Sequence, residues 1–355
     1  MKTSEKPHTE RRRKSVLDQA KKFSIKQIAA QAGVSKATVD RVLHQRGGVH
    51  HQMRRRIEQA LQELEAQETA GLASGRTFHI DVIMHTPRRF SRIVEEAITA
   101  QVGSMAPFRI RTRFHLFEDI DASRMYKLML RCAANGSQGL ILKAPDEPLL
   151  NEAVNRVTQA GVPVVTLVTD LPQSQRIGYV GMDNRTAGQT AAYLLANWLD
   201  DSPREVAVVI SSDSFRGEEE REMGFRLWLR NRMPHLSVRD ISGGYGVYEL
   251  TYERVKSVLQ EHPSLSAVYS VGGGNRAIVD AFAALERPLQ VFIGHDLDEE
   301  NRRLLAEERV NAIIDHDLHA DARHAFLHIL QFHRVWQSGP VPSSPIRIVT
   351  PFNLY

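Results

Sequence analysis

The stretch FSIKQIAAQAGVSKATVDRVLHQRGGVHHQMRRRIEQALQEL spans residues 23–64 and divides into three predicted helices. Ser24 and Gln27 have the spacing of an S-x-x-Q capping box, which predicts the start of the first helix. Gly33 ends that helix, because glycine adopts the left-handed conformation at little cost. Ser35 can cap the second helix, and the third helix follows an Arg-Gly-Gly break. Two helices joined by a short glycine-containing turn predict a helix-turn-helix domain.

The predicted second helix has a polar face that consists of Lys36, Ala37, Asp40 and Arg41. Side chains on such a face can reach base edges in the major groove of DNA. The third helix begins with Arg54-Arg55-Arg56, a sequence that is suited to phosphate contacts. The alternative is an ordinary helical hairpin with a solvated basic face.

The motif A-x-x-A-G-V-S-x-x-T-V-x-R-V-L over residues 29–43 resembles the DNA-binding headpiece of the LacI/GalR family of bacterial transcription regulators. The resemblance runs without a gap from residue 23 to residue 64. It implies that the base-reading residues are Lys36, Ala37 and Arg41. It also places four residues near phosphates, namely Ser35, Thr38, His44 and His50.

Two positions depart from the usual sequence of this family. Asp40 stands where the family usually has serine, so an acid faces the DNA. Its carboxylate can accept a hydrogen bond from a cytosine amino group or hold Arg41 in place. His50 replaces the serine or threonine that usually caps the third helix.

Positive charge is concentrated at the N-terminal end of the chain. Residues 1–65 contain 15 Lys and Arg against 7 Asp and Glu, whereas the remaining residues contain 31 against 35. This asymmetry indicates a nucleic-acid-binding module joined to a body that binds another ligand. Residues 1–22 include the run Arg11-Arg12-Arg13-Lys14, and we interpret them as a disordered basic arm.

A linker follows the helix-turn-helix domain, which we assign to residues 23–65. Residues 66–77 are small and polar, as expected of a linker. The LacI/GalR resemblance implies that this segment is a hinge and that Leu72 wedges into the minor groove, where such wedges bend the duplex. The segment is shorter than the usual hinge of the family, so an ordinary flexible linker is the alternative.

Residues 78–355 alternate apolar, β-rich runs, such as residues 79–85 and 139–143, with amphipathic helices, such as residues 187–199. This alternation predicts parallel sheets with helices on both faces, and the number of strands predicts two lobes. We therefore predict a small all-α helix-turn-helix domain followed by a two-lobe, doubly wound α/β domain. A ligand would bind at the carboxyl ends of the strands, in a cleft between the lobes.

Residues 78–355 resemble the type 1 periplasmic-binding-protein fold that forms the body of LacI/GalR regulators. The most specific stretches are YVGMDNRTAGQ at residues 179–189, REMGF at 221–225 and IGHD at 293–296. Within the first stretch, Asn184 is predicted to form a turn. Gly188 is predicted to let two helices pack closely.

Six residues that follow predicted strands are candidates for binding an effector: Phe90, Asp170, Arg221, Asn275, Asp296 and His316. Carboxylate and amide oxygens accept hydrogen bonds from ligand hydroxyls, arginine donates two, and an aromatic ring stacks on an apolar sugar face. The resemblance places four of them at the effector positions of the family, namely Arg221, Asn275, Asp296 and His316. It also implies an effector position for Phe90, but the match there is looser. Some relatives carry Asp where this chain has Val168, and whether Asp170 substitutes for it is left open. The structural alternative is that the Asp and Asn residues cap helices.

Other chemistry has weaker support. The Gly272-Gly273-Gly274 triplet lacks a nucleotide-binding motif, and the histidines between residues 316 and 328 lack a metal-binding motif, so we predict no cofactor and no metal. Cys132 is the only cysteine, which excludes an intrachain disulfide and suits a reducing cytoplasm. The N-terminus shows no secretory signal, and no apolar run is long enough to span a membrane.

These features predict a cytoplasmic transcription regulator, expected to be a repressor, that binds operator DNA as a homodimer or a tetramer. Its effector is expected to be a sugar, a polyol or a sugar derivative, and no membrane partner is expected. One alternative is a sugar-binding protein of a transport system, against which the basic headpiece argues. Another is an enzyme on a doubly wound scaffold, but no catalytic motif supports an enzyme.

Overall fold

The structure is a computed structural model that describes residues 23–44, 49, 53–61, 64, 77–199, 205–212, 214–336 and 341–354. The described residues fall into two compact units. One contains the residues up to Thr77, and the other contains Phe78–Ala106 and the residues from Ile110 onwards. No helix in these described ranges is long and apolar enough to cross a membrane.

The N-terminal unit consists of α1 (Ile25–Ala32), α2 (Lys36–Leu43) and α3 (residues 53–61). The predicted capping box is present at α1. Ser24 Oγ accepts a hydrogen bond from the backbone N–H of Gln27 (3.3 Å), and Gln27 Oε1 accepts one from the backbone N–H of Ser24 (2.9 Å). Gly33 ends α1 in the left-handed conformation, with φ 60° and ψ 40°.

A small apolar core holds these three helices together. Ile28 of α1, Val39 of α2, and Ile57 and Leu61 of α3 are fully buried in it. The buried positions recur at helical spacing, so each helix keeps its opposite face in solvent. The predicted helix-turn-helix is thus confirmed as a packed three-helix unit.

The first lobe consists of β1 (Thr77–His85), α4 (Arg88–Ser104), β2 (Arg109–Phe117), α5 (Ala122–Ala134), β3 (Gly139–Lys143), α6 (Pro148–Gln159), β4 (Val164–Leu167) and β5 (Gly178–Val180). Its five-stranded sheet has the order β2-β1-β3-β4-β5. In the parallel centre of the sheet, Ile141 of β3 lies opposite Val82 of β1 and Val165 of β4. Such strands are covered on both faces, which explains their continuous apolar sequences.

The second lobe consists of α7 (Asn184–Trp198), β6 (Glu205–Val209), α8 (Arg216–Arg232), β7 (Ser237–Ile241), α9 (Tyr248–Glu261), β8 (Ala267–Ser270), α10 (Asn275–Ala284), β9 (Val291–His295), α11 (Glu299–Ala306), β10 (Ala312–Asp315) and β11 (Arg347–Val349). Its six-stranded sheet has the order β11-β10-β9-β8-β6-β7. Strand β11 pairs antiparallel with β10 and was not predicted, because three residues are too few to show strand periodicity.

The chain passes between the lobes after β5, after β10 and before β11. The second passage leads into α12 (Leu318–Phe332), which packs against α4, β4 and β5 of the first lobe. Helices cover both faces of the second sheet, with Phe292 in the core on one face and Phe225 in the core on the other. The predicted two-lobe, doubly wound architecture is confirmed.

Helices α7 and α8 pack closely where each contains a glycine. A Cβ atom on Gly188 would lie 1.9 Å from the carbonyl oxygen of Arg221, and one on Gly224 would lie 2.1 Å from that of Arg185. Larger side chains at either position would therefore push the helices apart. The close packing predicted for Gly188 is confirmed, and it holds Arg221 against the start of α7.

Candidate functional site

The exposed face of α2 is the candidate nucleic-acid interface. Ser35, Lys36, Ala37, Arg41 and His44 are exposed. Thr38 and Asp40 are partly buried. The exposed cations and small residues leave room for a base edge, as major-groove readers require.

Local hydrogen bonds organise the ends of α2. Ser35 Oγ accepts a hydrogen bond from the backbone N–H of Thr38 (3.1 Å) and lies 2.8 Å from Thr38 Oγ1. Asp40 Oδ1 lies 2.9 Å from His44 Nδ1, one turn further along the helix. The sequence suggested cytosine or Arg41 as partners for Asp40, and the structure adds His44. The predicted contacts of His50 and Leu72 lie outside the described residues.

A cavity of about 550 Å³ lies between the two lobes. The first lobe contributes residues at the ends of β1, β3 and β4, including His85, Lys143 and Thr169. The second lobe contributes residues that follow β6 to β9, including Ser211, Phe215, Tyr245, Val271 and Asp296. The cavity therefore lies at the carboxyl ends of the strands, and its volume suits a small molecule.

Three of the six predicted effector residues line this cavity: Phe90, Arg221 and Asp296. Asp296 has a φ of 67°, a left-handed backbone conformation that residues other than glycine adopt at a cost. Its Oδ1 atom is buried, lies 4.0 Å from His316 Nε2 and accepts no hydrogen bond from the part of the chain that the structure describes. The Asp296 carboxylate lines the cavity, where it can accept a hydrogen bond from a ligand hydroxyl.

Arg221 is held at the cavity floor by hydrogen bonds from its own guanidinium. Its Nε donates to Asn184 Oδ1 (2.8 Å) and its Nη1 donates to the carbonyl oxygen of Val271 (2.8 Å). Its Nη2 lies 3.0 Å from His316 Nε2, which must be the acceptor because guanidinium has no acceptor atom. His316 is thus behind Arg221 and orients it. Asn184, predicted only as a turn residue, is a further positioning group.

Asn275 lies outside the cavity and acts on the backbone at Asp296. Its amide nitrogen donates to Asn301 Oδ1 at 2.8 Å. Asn301 in turn donates to the carbonyl oxygens of His295 (3.1 Å) and Asp296 (2.6 Å). This chain of amides holds Asp296 in its left-handed conformation, a role that the sequence did not reveal.

Asp170 does not line the cavity. It is paired with Arg176 and accepts a hydrogen bond from Thr166 Oγ1 at 2.7 Å. Burial raises the pKa of Asp170, but the hydrogen bonds from Arg176 and Thr166 outweigh it and leave the pKa below its usual value. The geometry gives Asp170 a structural ion pair in place of the suggested effector contact.

Lys143 is a cavity residue that the sequence analysis missed. It is 8% exposed, and its Nζ lies 4.1 Å from the centre of the Phe215 ring. Burial lowers the pKa of Lys143 to about 8. Burial also lowers the pKa of His85, which contacts the same Phe215 ring edge-on with centroids 5.7 Å apart. The available signal was the end of the run Gly-Leu-Ile-Leu-Lys, a charge directly after a buried strand.

Arg89 and Glu218 were also missed. Arg89 belongs to the first lobe, and its Nη1 donates to Asp298 Oδ2 of the second lobe at 2.9 Å. Its Nη2 donates to the carbonyl oxygen of Gly272 at 3.2 Å. Glu218 accepts hydrogen bonds from the backbone N–H and the hydroxyl of Ser211. Arg89 therefore links the two lobes beside the cavity. Glu218 holds the loop after β6 in place.

One cluster in the described part of the chain has metal-ligating groups, namely Asp81, His115 and Cys132, whose ligand atoms lie within 4.8 Å of one another. Both carboxylate oxygens of Asp81 accept hydrogen bonds from Arg113, at 2.9 and 2.6 Å. His115 Nε2 lies 2.8 Å from Asp81 Oδ1. Burial raises the pKa of the Cys132 thiol to about 12, so the thiolate form is disfavoured. The guanidinium already supplies the positive charge that a metal ion would bring.

Two family models match the chain. Residues 24–65 match the bacterial regulatory proteins of the lacI family, and residues 104–327 match the periplasmic binding protein domain. No curated protein matches the chain. The predicted alternative of a transport protein shares only the second of these domains.

Solved structures show the same two-lobe fold. GanP, a glucose-galactose binding protein from Geobacillus stearothermophilus, is 20% identical with a TM-score of 0.69, covering 79% of this chain and 99% of its own. A provisionally assigned LacI transcriptional regulator from Bacteroides fragilis is 18% identical with a TM-score of 0.68, covering 78% and 97%. A carbohydrate transporter from Acidothermus cellulolyticus 11B, in complex with myo-inositol, is 17% identical with a TM-score of 0.68, covering 79% and 96%.

These likenesses establish the fold, and the two family models establish the domain composition. The periplasmic binding protein model spans more than half of the 355 residues, and the lacI-family model spans the three-helix unit. The chain belongs to the periplasmic binding protein domain family over residues 104–327 and joins that domain to a lacI-family DNA-binding domain, so it is a DNA-binding regulator with a two-lobe ligand domain.

Proposed function

We propose that this regulator is a repressor that binds operator DNA as a homodimer and changes its operator affinity when a small polyhydroxylated effector enters the cavity. The observation that carries the proposal is the cavity between the lobes of a chain that also has a helix-turn-helix unit. The cavity combines a buried ring, a fixed guanidinium and a carboxylate oxygen without a donor. Such a combination suits a ligand with several hydroxyl groups.

The DNA-binding half of the proposal rests on the exposed face of α2. Lys36 and Arg41 are exposed cations with long side chains, and Ala37 between them leaves space for a thymine methyl group or a base edge. Ser35, Thr38 and His44 are proposed to contact phosphates, and Asp40 is proposed to contact cytosine. Arg54–Arg56 at the start of α3 are also exposed and suit phosphates.

The effector half rests on the cavity floor. The Asp296 carboxylate lines the cavity and can accept hydrogen bonds from ligand hydroxyls, and the Phe90 ring provides an apolar surface at the same cavity. Arg221, with its hydrogen bonds to Asn184 and His316, is proposed to donate to a ring or hydroxyl oxygen. Binding proteins of this fold that are described with glucose-galactose and with myo-inositol support a sugar or polyol as the class.

Effector and operator are proposed to bind at separate sites whose affinities are linked. An effector that contacts both lobes favours one lobe arrangement, and it can change operator affinity only by its difference in affinity between arrangements. The coupling must be reciprocal, so operator DNA changes effector affinity by the same factor. A typical coupling is about 1–3 kcal/mol.

The test is a fluorescence anisotropy titration of DNA from upstream of the chain's own gene, at physiological salt, with and without sugars, polyols and their acids. We expect sequence-specific binding that exceeds binding to shuffled DNA about 1,000-fold or more, and one class of effector that changes it. Binding that does not distinguish the two DNAs would contradict the proposal. Effector binding without any effect on DNA would instead favour a sugar-binding protein of a transport system.

A further inference from the structure

Lys143 is a buried cation directed at the cavity. It is the last residue of β3, its side chain lies over the Phe215 ring, and its Nζ is 5.8 Å from the centre of the Phe90 ring. Only 8% of the residue is exposed. Both rings line the same cavity, so the ammonium group sits on an aromatic wall where a ligand would bind.

The ammonium of Lys143 has one weak partner. Its Nζ donates to the carbonyl oxygen of His85 at 3.5 Å, at the limit of a hydrogen bond. It makes no ion pair with any carboxylate in the part of the chain that the structure describes. The carboxylates of Glu218 and Asp296 attract it from beyond ion-pair distance. A buried cation without a direct counter-ion is costly, and proteins usually pair such a group.

Three other charged residues that line the cavity, Arg89, Arg221 and Glu218, already have partners. Arg89 is bound to Asp298, and Arg221 is bound to Asn184, Val271 and His316. The carboxylate of Glu218 is occupied by the hydroxyl of Ser211 and by backbone N–H groups of the loop after β6. Lys143 therefore differs from its neighbours, because no carboxylate in the described residues forms a direct ion pair with it.

A second unpartnered nitrogen faces the same ring. His85 Nδ1 is buried and has no hydrogen-bond partner in the described ranges. The Phe215 ring contacts both the His85 ring and the Lys143 ammonium. Three acidic residues that line the cavity, Glu118, Asp119 and Glu147, are exposed to solvent at its edge. The other two, Glu218 and Asp296, are partly buried.

We propose that the effector carries an anionic oxygen group, a carboxylate or a phosphate, which binds to Lys143 and accepts a second hydrogen bond from His85. Hydroxyl groups at the other end of the same molecule donate to the Asp296 carboxylate, which lines the cavity. This inference rests on the proposed function and narrows its effector from sugar-like molecules to sugar acids or sugar phosphates. A neutral sugar could accept a hydrogen bond from Lys143 but would leave its buried charge uncompensated.

The test is isothermal titration calorimetry on the full chain with matched sets of neutral aldose, aldonic acid and sugar phosphate, built on glucose, galactose and arabinose. We expect at least one acid or phosphate to bind at least tenfold more tightly than the neutral aldose of its set. The two anionic arms distinguish a carboxylate from a phosphate. A preference for neutral aldoses, or no binding of any anionic member, would overturn the inference.

Variants of Lys143 separate ligand binding from folding. We expect Lys143→Met to weaken binding of the anionic ligand at least tenfold and Lys143→Arg to retain the preference for anions. The exposed Lys127→Met on α5 should leave binding unchanged. The melting temperature of the free Lys143→Met protein should not fall, because an unpaired buried charge has been removed. A lower melting temperature with unchanged anion affinity would show that Lys143 has only a structural role.

The outcomes also separate this inference from the proposed function. A neutral sugar that binds tightly and changes operator affinity would overturn the role of Lys143 and leave the regulator intact. An acid that binds through Lys143 but leaves operator affinity unchanged would support the anion site and contradict the effector-controlled repressor.

Discussion

The helix-turn-helix unit and the ligand cavity use positive charge in opposite ways. Lys36 and Arg41 are exposed on α2, where water solvates them until DNA arrives. Arg221 and Lys143 are buried in the second unit, where each charge needs a partner. Exposed cations attract phosphates at long range and at little cost to folding. Buried cations discriminate between ligands, because an unsuitable ligand leaves a charge without compensation.

The largest effect is expected when a buried cation of the ligand cavity is removed. Arg221→Ala should abolish the response to effector while the protein still binds operator DNA. The substitution leaves Asn184 Oδ1, the Val271 carbonyl and His316 without their donor. Each group that stays unsatisfied should lower the free energy of unfolding by about 1–3 kcal/mol. Effector titration of the operator complex and urea unfolding measure the two consequences.

Arg221→Lys is the matched variant, because lysine keeps the charge but lacks the planar fork that reaches these partners. It should recover part of the stability and little of the response. A normal effector response in Arg221→Ala would remove Arg221 from the effector site.

On the exposed face of α2, Arg41→Ala should weaken discrimination between operator and unrelated DNA. The loss at the base pair it reads should be about 1–3 kcal/mol, and effector affinity should not change. Arg54→Ala is the control for phosphate binding. It should weaken binding to all DNA alike and reduce the slope of log affinity against log salt by about 0.9 for each protomer that loses a phosphate contact. Loss of effector affinity in Arg41→Ala would disprove two separate sites.

The pH dependence of effector binding tests whether the buried charge of Lys143 takes part in binding. The pKa of Lys143 is lowered to about 8 in the free protein, chiefly by burial. An anion binds the protonated form, so affinity should be constant below pH 8 and fall about tenfold per pH unit above it. The groups around Lys143 on other elements are His85, Arg89, Glu218, Arg221 and Asp296.

His85 should not contribute to this pH dependence, since burial lowers its pKa further below the range of the measurement. Calorimetric titrations between pH 7 and 10 measure the effect, and the Lys143→Arg variant should remove the decline because arginine stays charged. An affinity that does not change up to pH 10 would show that the charge of Lys143 is not used.

The smallest expected effect concerns Arg89, whose bond to Asp298 joins the lobes. The two side chains are 26% and 6% exposed, so Arg89→Gln should lower effector affinity by about 1 kcal/mol. Arg92→Gln on the same helix is the matched control, because its ion pair with Glu96 is 73% and 62% exposed. Equal losses of effector affinity in the two variants would show that the bond between Arg89 and Asp298 does not contribute to effector binding.

Local signals in the sequence were sufficient for the helix-turn-helix unit. Ser24, Gln27, Gly33 and Ser35 act within four residues of themselves, so their capping roles could be predicted and are present. The central strands of the second unit, such as β3 and β8, could also be predicted, because each forms a buried apolar run. Strand β11 could not, since its three residues are too few to show strand periodicity.

The cavity was only partly predictable from sequence. Arg221 and Asp296 could be named because they follow buried strands, a position that places a side chain at the ligand edge of a parallel sheet. Asp170 also follows a buried strand, but it forms an ion pair with Arg176, six residues later, and does not line the cavity. No local rule could foresee that competition, because it depends on how the loop between β4 and β5 folds.

The sequence by itself determined the domain types, the caps, the buried strands and the charge asymmetry, because these depend on neighbouring residues and on composition. The tertiary structure decided which polar groups share the cavity and which support it from behind. It placed His316 and Asn275 behind Arg221 and Asp296, and it placed Lys143 and His85 against Phe215. Burial and partners determine whether a charge is used or free, and both arise only when distant strands meet.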